Sequence, residues 1–269
     1  LGADEFALLE PIRDWIRSDD KPFLLTVMCS VTHDPYEVPS WYGEMAGTLP
    51  DRYRQTIAYT DKFIQALDVE LASLGLADDT IFCVVGDHGE AFGEHRIHGH
   101  ERVAYEEVLR IAMCIRAPLL IVPGQRIASP VSSVDLVPTI LSLLGFEVAG
   151  LDFDGDDALG PLPLDRKVYF AGWMQQGPSG FVQDGNKFVY EPEQNRVSLF
   201  RLRTDPLEMS RFDLPEYVAK GFSEEIVQWR RGTIFRIDQK PAGSMTLFGS
   251  WSCRWNGRIS NVRHIAADQ

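Results

Sequence analysis

The run Thr80-Ile81-Phe82-Cys83-Val84-Val85 ends at Gly86-Asp87-His88-Gly89-Glu90. A stretch so rich in apolar and β-branched side chains predicts a strand covered on both faces, and the glycine predicts a turn at its end. Open α/β sheets gather their ligands beyond the carboxyl ends of their strands, so this pattern puts Asp87 and His88 where chemistry is done. A carboxylate beside an imidazole is a donor pair for a divalent cation: zinc, manganese or, with more oxygen ligands, calcium. The same pair alone more often serves as an Asx turn or helix N-cap next to a surface histidine. The neighbours weigh against that, because His88, His95, His98 and His100, four of the six histidines, lie between Gly86 and Glu101. A loop with so many titratable rings handles a metal or a proton.

Around this loop the hydrophobic pattern alternates. Asp4 to Ile16 places Phe6, Leu9, Ile12 and Ile16 on one helical face, and Phe23 to Met28 reads as a buried strand. Ile57, Ile64, Leu67, Leu71 and Leu74 recur at helical spacing over Gln55 to Leu74, with Gly75 as the residue that ends the helix. After the histidine loop come a short helix over Ala104 to Leu109, a strand from Ile111 to Ile115, and a helix capped by Asp135 that stops at Gly145. Strand and helix in alternation predict an α/β fold with a mostly parallel sheet and helices on both faces.

Beyond about Gly150 the texture changes. Leu151 to Asp165 is rich in Asp, Gly and Pro and reads as a loop. Val168 to Gly172, Phe181 to Gln183, Lys187 to Tyr190 and Val197 to Leu202 read as short strands, with Asp184-Gly185 as a hairpin turn. These predict a small antiparallel subdomain, followed by a helix over Pro215 to Trp229. The expected organisation is therefore residues 1–150 as part of a catalytic α/β domain, 151–240 as an α+β subdomain and 241–269 as a tail. That tail, with Trp251, Cys253 and Trp255, reads equally as a docking strand or a partner surface.

Several segments together carry a family resemblance. Gly86-Asp87-His88-Gly89-Glu90, then Gly93-Glu94-His95, His98-Gly99-His100 and Tyr105-Glu106-Glu107-Val108-Leu109-Arg110, resemble the GDHGE…GEH…HGH…YEE…LR signature of the sulfatase family. That family belongs to the alkaline phosphatase superfamily, which also contains lipoteichoic acid synthases and phosphoethanolamine transferases. Thr32-His33-Asp34-Pro35-Tyr36 is similar to its HxPY element, Val134-Asp135-Leu136-Val137-Pro138-Thr139 to its VDLxPT helix start, and Leu199 to Glu208 to its late LYDLxxDPxE turn.

The resemblance implies an alkaline phosphatase-like fold and a metal-dependent hydrolase of sulfate or phosphate esters. It implies Asp87 and His88 as metal ligands, His100 and the weaker candidate His98 as contacts to sulfate or phosphate oxygens, and His33 as a group facing the transferred moiety. From its own residues, His33 more often serves only to stabilise the His-Asp-Pro-Tyr turn. His95, Glu90 and Glu94 are expected to support the loop, and Arg110 to pair with Glu106 or Glu107. Family members also carry an acidic ligand near their first strand and a nucleophile: a Cys or Ser in a CxPxR context, or a Thr or Ser in the transferases. None of Cys29, Cys83, Cys114 or Cys253 is followed by that Pro and Arg. The expectation is that the nucleophile belongs to an N-terminal part absent from this sequence, and that this chain alone is inactive.

The same motifs admit a phosphoglycerol or phosphoethanolamine transferase of the cell envelope as an alternative, and a non-catalytic binding module with half a site as another. A net charge of −13 opposes binding to nucleic acid or to an anionic membrane surface. No run approaches the about 18 to 20 apolar residues that span a bilayer, and any membrane anchor is expected in the absent N-terminal part. The resemblance places such an enzyme in the periplasm or on the outer face of the membrane. The cysteines lack metal-ligand spacing, and Cys29, Cys83 and Cys114 lie in apolar runs that suit buried thiols.

Overall fold

A computed structural model describes residues 4–147, 153–172, 177–238, 253–255 and 258–260 of the chain. It divides into two compact units, one within Leu1–Asp78 and one comprising Asp79–Lys240.

In the first unit a single 3-10 turn, Glu5–Leu8, leads into α1, Leu9–Arg17, and α2 follows over Leu49–Ser73. Helix α2 begins six residues earlier than its apolar spacing indicates, because Thr48 caps it by accepting the Asp51 N–H and Pro50 occupies its first turn. Its buried face, Tyr59, Phe63, Leu67 and Leu71, forms a core with Ile12 and Ile16 of α1. Arg13 and Glu70 join the two helices through a two-pronged ion pair of 2.5 and 2.7 Å. The turn before α1 is held by acids: Asp4 accepts from the Tyr59 hydroxyl and the Trp41 indole, and buried Glu5 accepts from the amides of Ser30 and Val31. Phe23 to Met28, expected as a buried strand, forms none. From Leu24 to Met28 its side chains alternate between exposed and half-buried, and Met28 is 87% exposed. Burial raises the Cys29 thiol to about 11, consistent with an inert residue.

The second unit opens with β1, Phe82–Val85, which pairs with β4, Met113–Arg116, in antiparallel register. Between them lie a small hairpin of β2, Ala91–Phe92, and β3, His98–Gly99, and then α3, Glu106–Leu109. A single 3-10 turn at Ser133–Asp135 and α4, Leu136–Leu143, follow, with a reciprocal capping box between Ser132 and Asp135. Asp135 is fully buried and accepts from Ser132 N–H, Asp156 N–H and the Arg166 guanidinium. The motif that reads as a helix start thus also anchors the loop at 153–158.

Strands β5 to β9, Val168–Ala171, Ser179–Gln183, Asn186–Glu191, Arg196–Arg201 and Phe212–Asp213, make a five-stranded antiparallel sheet in sequential order. Asp184 and Gly185 both take positive φ, 49° and 73°, as the tight turn between β6 and β7 requires. Helix α5, Glu216–Asp238, packs across β6, β7 and β8, with Phe222 set against the rings of Phe181 and Phe188 and Ile226 fully buried. Complete burial of a ring such as Phe181 contributes about 1.5–3 kcal/mol.

The α/β class is as expected, whereas the mostly parallel sheet is not found among the described residues, where every ladder is antiparallel. The reason lies in the connections. Parallel neighbours need a crossover that carries the chain back to the same end, usually a helix. The segment from β1 to β4 contains only a two-residue hairpin and the four-residue α3, so β4 returns in the opposite direction. Of the tail, the structure describes one antiparallel pair, Cys253–Trp255 with Arg258–Ser260, while Trp251 lies outside the described residues.

Candidate functional site

Strand β1 delivers Gly86, whose N–H bonds to Ala112 O at 2.9 Å, so the chain leaves the sheet at a fixed point. Asp87 and His88 come next, and both are exposed. His88 Nδ1–H donates to Gly89 O at 2.8 Å, which leaves the Nε2 lone pair free, 3.6 Å from Asp87 Oδ2. A histidine that binds a metal typically donates its other ring N–H to a carbonyl or carboxylate in this way. Zinc bonds of about 2.0–2.2 Å place two ligands of one tetrahedral ion about 3.4 Å apart. The spacing and chemistry of this pair therefore fit two ligands of one divalent cation. Among the described residues no group of three or more His, Cys, Asp or Glu side chains assembles a fuller set.

His100 joins the pair. Its ring stacks on His88 with centroids 3.9 Å apart and planes 26° from parallel. Its Nδ1–H faces Glu90 Oε2 at 3.1 Å, and the Glu90 side chain is only 9% exposed. Glu90 Oε1 is buried with no hydrogen-bond partner in the structure, so one carboxylate oxygen is committed to orienting His100 and the other is uncompensated. Glu90 thus orients the His100 ring.

The remaining histidines separate. His98 is exposed on β3, and its ring lies against Gly93 in the hairpin turn. His95 is turned the other way: Nδ1 meets Glu107 Oε1 at 2.8 Å, Nε2 meets Leu207 O at 3.1 Å, and the ring stacks on Tyr105 at 3.7 Å. It is a structural residue of the loop. Glu94 accepts the Phe92 N–H at 2.6 Å and closes the hairpin locally. Arg110, expected to pair with Glu106 or Glu107, is exposed, and those two carboxylates face Lys187 and His95 instead. His33 belongs to the first unit, where it is exposed and its Nδ1–H donates to Asp34 O at 2.9 Å, within the turn.

Gly89 fixes the loop against α3. Its N–H donates to Val108 O at 2.8 Å, and a Cβ added there would fall 2.1 Å from Glu107 O and 3.2 Å from Val108 Cα. Only glycine permits this approach. Gly89→Ala is expected to force the loop or α3 aside and lower stability by about 1–3 kcal/mol, the usual range for overpacking. Urea denaturation checks this, and an unchanged midpoint and slope would show that the contact is not tight.

The sulfatase family model matches residues 2–146, and the chain belongs to the sulfatase family. It is 30% identical to the steryl-sulfatase of Rattus norvegicus over 145 residues, 49% of this chain and 25% of the relative. It is 29% identical to lipoteichoic acid synthase 2 of Bacillus subtilis over 123 residues, 44% of this chain and 19% of the relative. Its fold resembles that of the phosphonate monoester hydrolase of Agrobacterium radiobacter, with a TM-score of 0.66 at 17% identity over 85% of this chain and 60% of that one. The chain spans about a third or less of the length of the first curated relatives it matches.

Proposed function

We propose that this chain carries part of the metal and substrate site of a sulfatase-like hydrolase acting on sulfate or phosphate esters. The observation that carries this is the exposed Asp87–His88 pair, with His88 Nε2 free and His100 stacked behind it. In this reading Asp87 and His88 hold a calcium, zinc or manganese ion. Such an ion supplies Lewis-acid stabilisation of the charge that gathers on the oxygens of a sulfuryl or phosphoryl group. His100, with Nδ1 held by Glu90, presents its Nε2 edge to one of those oxygens, where a donor strengthens its bond as charge develops. His98 and His33 are further candidates for contacts to the anionic group or the leaving oxygen. The nucleophile and the acidic ligand expected of the family are assigned to a part of the intact protein that precedes these residues.

The substrate in this reading is an anionic ester, not a nucleic acid, and the site of action is the periplasm or the outer membrane face. Among the described residues no helix is long and apolar enough to cross a membrane. The match to a lipoteichoic acid synthase favours, as a second reading, transfer of a phosphoglycerol or phosphoethanolamine group to an envelope acceptor. The experiment is turnover of 4-nitrophenyl sulfate and 4-nitrophenyl phosphate by the purified native gene product, before and after exhaustive chelation. Loss of turnover on chelation, and its return with one of calcium, zinc or manganese, is expected. Turnover that survives complete removal of metal would sink the metal-site reading. Activity only when a phospholipid donor is supplied would select the transferase.

A further inference from the structure

Lys187 of β7 has no exposed side-chain surface, an unusual position for an ammonium group. Three oxygens surround it: Glu208 Oε1 at 2.5 Å, Ala104 O at 2.7 Å and Glu106 Oε1 at 3.3 Å. Glu208, equally buried, lies in the turn after β8 with a positive φ of 53°. Its second oxygen accepts the backbone N–H of Glu106 at 2.7 Å, the first residue of α3. One residue earlier, Leu207 O meets His95 Nε2. The start of α3 is therefore held by Lys187 of β7 and by Glu208 from the turn after β8, and its far end holds Gly89 through Val108 O. Gly89 follows His88 directly. A line of contacts, an ion pair from Lys187 to Glu208 and then hydrogen bonds from Glu208 to Glu106 and from Val108 of α3 to Gly89, runs to the backbone beside Asp87 and His88.

We propose that the buried Lys187–Glu208 pair is a positioning device that sets the Asp87-His88 turn through α3 and Gly89. A pair so placed is an expensive way to gain stability alone. Removing two charges from water costs several kcal/mol each, and apolar residues of similar volume often do as well. What the pair supplies that apolar residues cannot is a directed bond to one amide, Glu106 N–H, and one carbonyl, Ala104 O. Those bonds fix the height and rotation of α3 relative to the sheet. The inference rests on the reading of Asp87 and His88 as site residues, and its test is chosen to separate the two.

The variant is Lys187→Met combined with Glu208→Met in the native gene product, which removes both charges at similar volume and leaves none stranded. Rings of histidines labelled with carbon-13 are then followed by NMR without metal or substrate, alongside far-ultraviolet circular dichroism. The stacked His88 and His100 rings each carry a ring-current shift that depends on their spacing. We expect these signals to move while the circular dichroism is retained. We also expect turnover to fall about 100-fold, the loss that a misplacement of about 1 Å can cause. Unmoved His88 and His100 signals in a folded double variant would overturn the positioning role. Moved signals with undiminished turnover would support it and overturn the site reading instead. Hydrogen exchange in the unaltered protein tests the same line without any substitution. Gly89 and Glu106 amides are expected to open together, and Gly89 exchanging far faster than Glu106 would overturn the proposal.

Discussion

Alanine at Asp87 should reduce turnover by the intact protein to background, and alanine at His100 should cost about 10²- to 10³-fold, the usual loss for one electrostatic donor. The difference follows from the geometry. Asp87 is the carboxylate beside the free Nε2 of His88 among the described residues, and its loss leaves one nitrogen as this segment's share of the proposed cation site. His100 reaches the site through a stacked ring and a hydrogen bond to Glu90, so its removal deletes one donor and leaves the Asp87–His88 pair in place. The measurement is kcat and KM for both variants on a sulfate and a phosphate ester, with metal content determined on the same samples. Asp87→Ala protein that keeps full turnover and full metal would remove Asp87 from the ligand set. His100→Ala protein with unchanged kcat would reduce that ring to a packing role for His88.

Much of the fold was legible where one local signal decides the outcome. The β1 strand, the Asp184-Gly185 turn and the capped start near Asp135 each follow from a few neighbouring residues. The sheet direction was not legible in that way. Alternation and apolar runs report which faces are buried, and they are identical for parallel and antiparallel neighbours. Direction was decided by the segment between β1 and β4, whose only helix has four residues. Phe23 to Met28 failed for a related reason: an apolar run is a strand only when a partner is supplied, and its period-two exposure shows one packed face.

The site divides along the same line. Asp87, His88, Glu90 and His100 are close in sequence, so a turn and a hairpin suffice to bring them together, and their proximity can be read from the sequence alone. Lys187 and Glu208 were invisible, since each lies about 80 to 100 residues from the Glu106 it meets. In the sequence Lys187 looks like the polar position of an alternating strand, and Glu208 like the end of a solvated turn. Only the pairing of β7 with β8 and the return of the chain after β8 carry them to α3. His95 shows the intermediate case. Its expected place was in support of the loop, and the partners that hold it, Glu107 and Leu207 O, lie 12 and 112 residues away.

Lys187→Met alone should be among the most destabilising single substitutions in the chain, about 3–5 kcal/mol, because it strands the buried Glu208 carboxylate. The loss should also depend on pH, with a sign that follows from Glu208. Burial raises the Glu208 carboxyl above its ordinary value of 4.5, while the Lys187 charge, together with the bonds from Lys187 and Glu106 N–H, opposes that rise. A carboxyl raised on folding binds its proton more tightly in the native state, so its contribution to stability is greatest at low pH and is lost as pH rises through the folded value. Without Lys187 the opposing attraction disappears and the folded value climbs further. The destabilisation of Lys187→Met should therefore be smaller at about pH 5 than at about pH 8, because a raised carboxyl keeps its proton further up the pH range and burying it as a bare charge costs most once that proton is lost. Urea unfolding of both proteins at the two pH values measures this. An equal loss at both would mean that Glu208 escapes to solvent once its partner is gone, and that the pair is less tightly enclosed than its complete burial indicates.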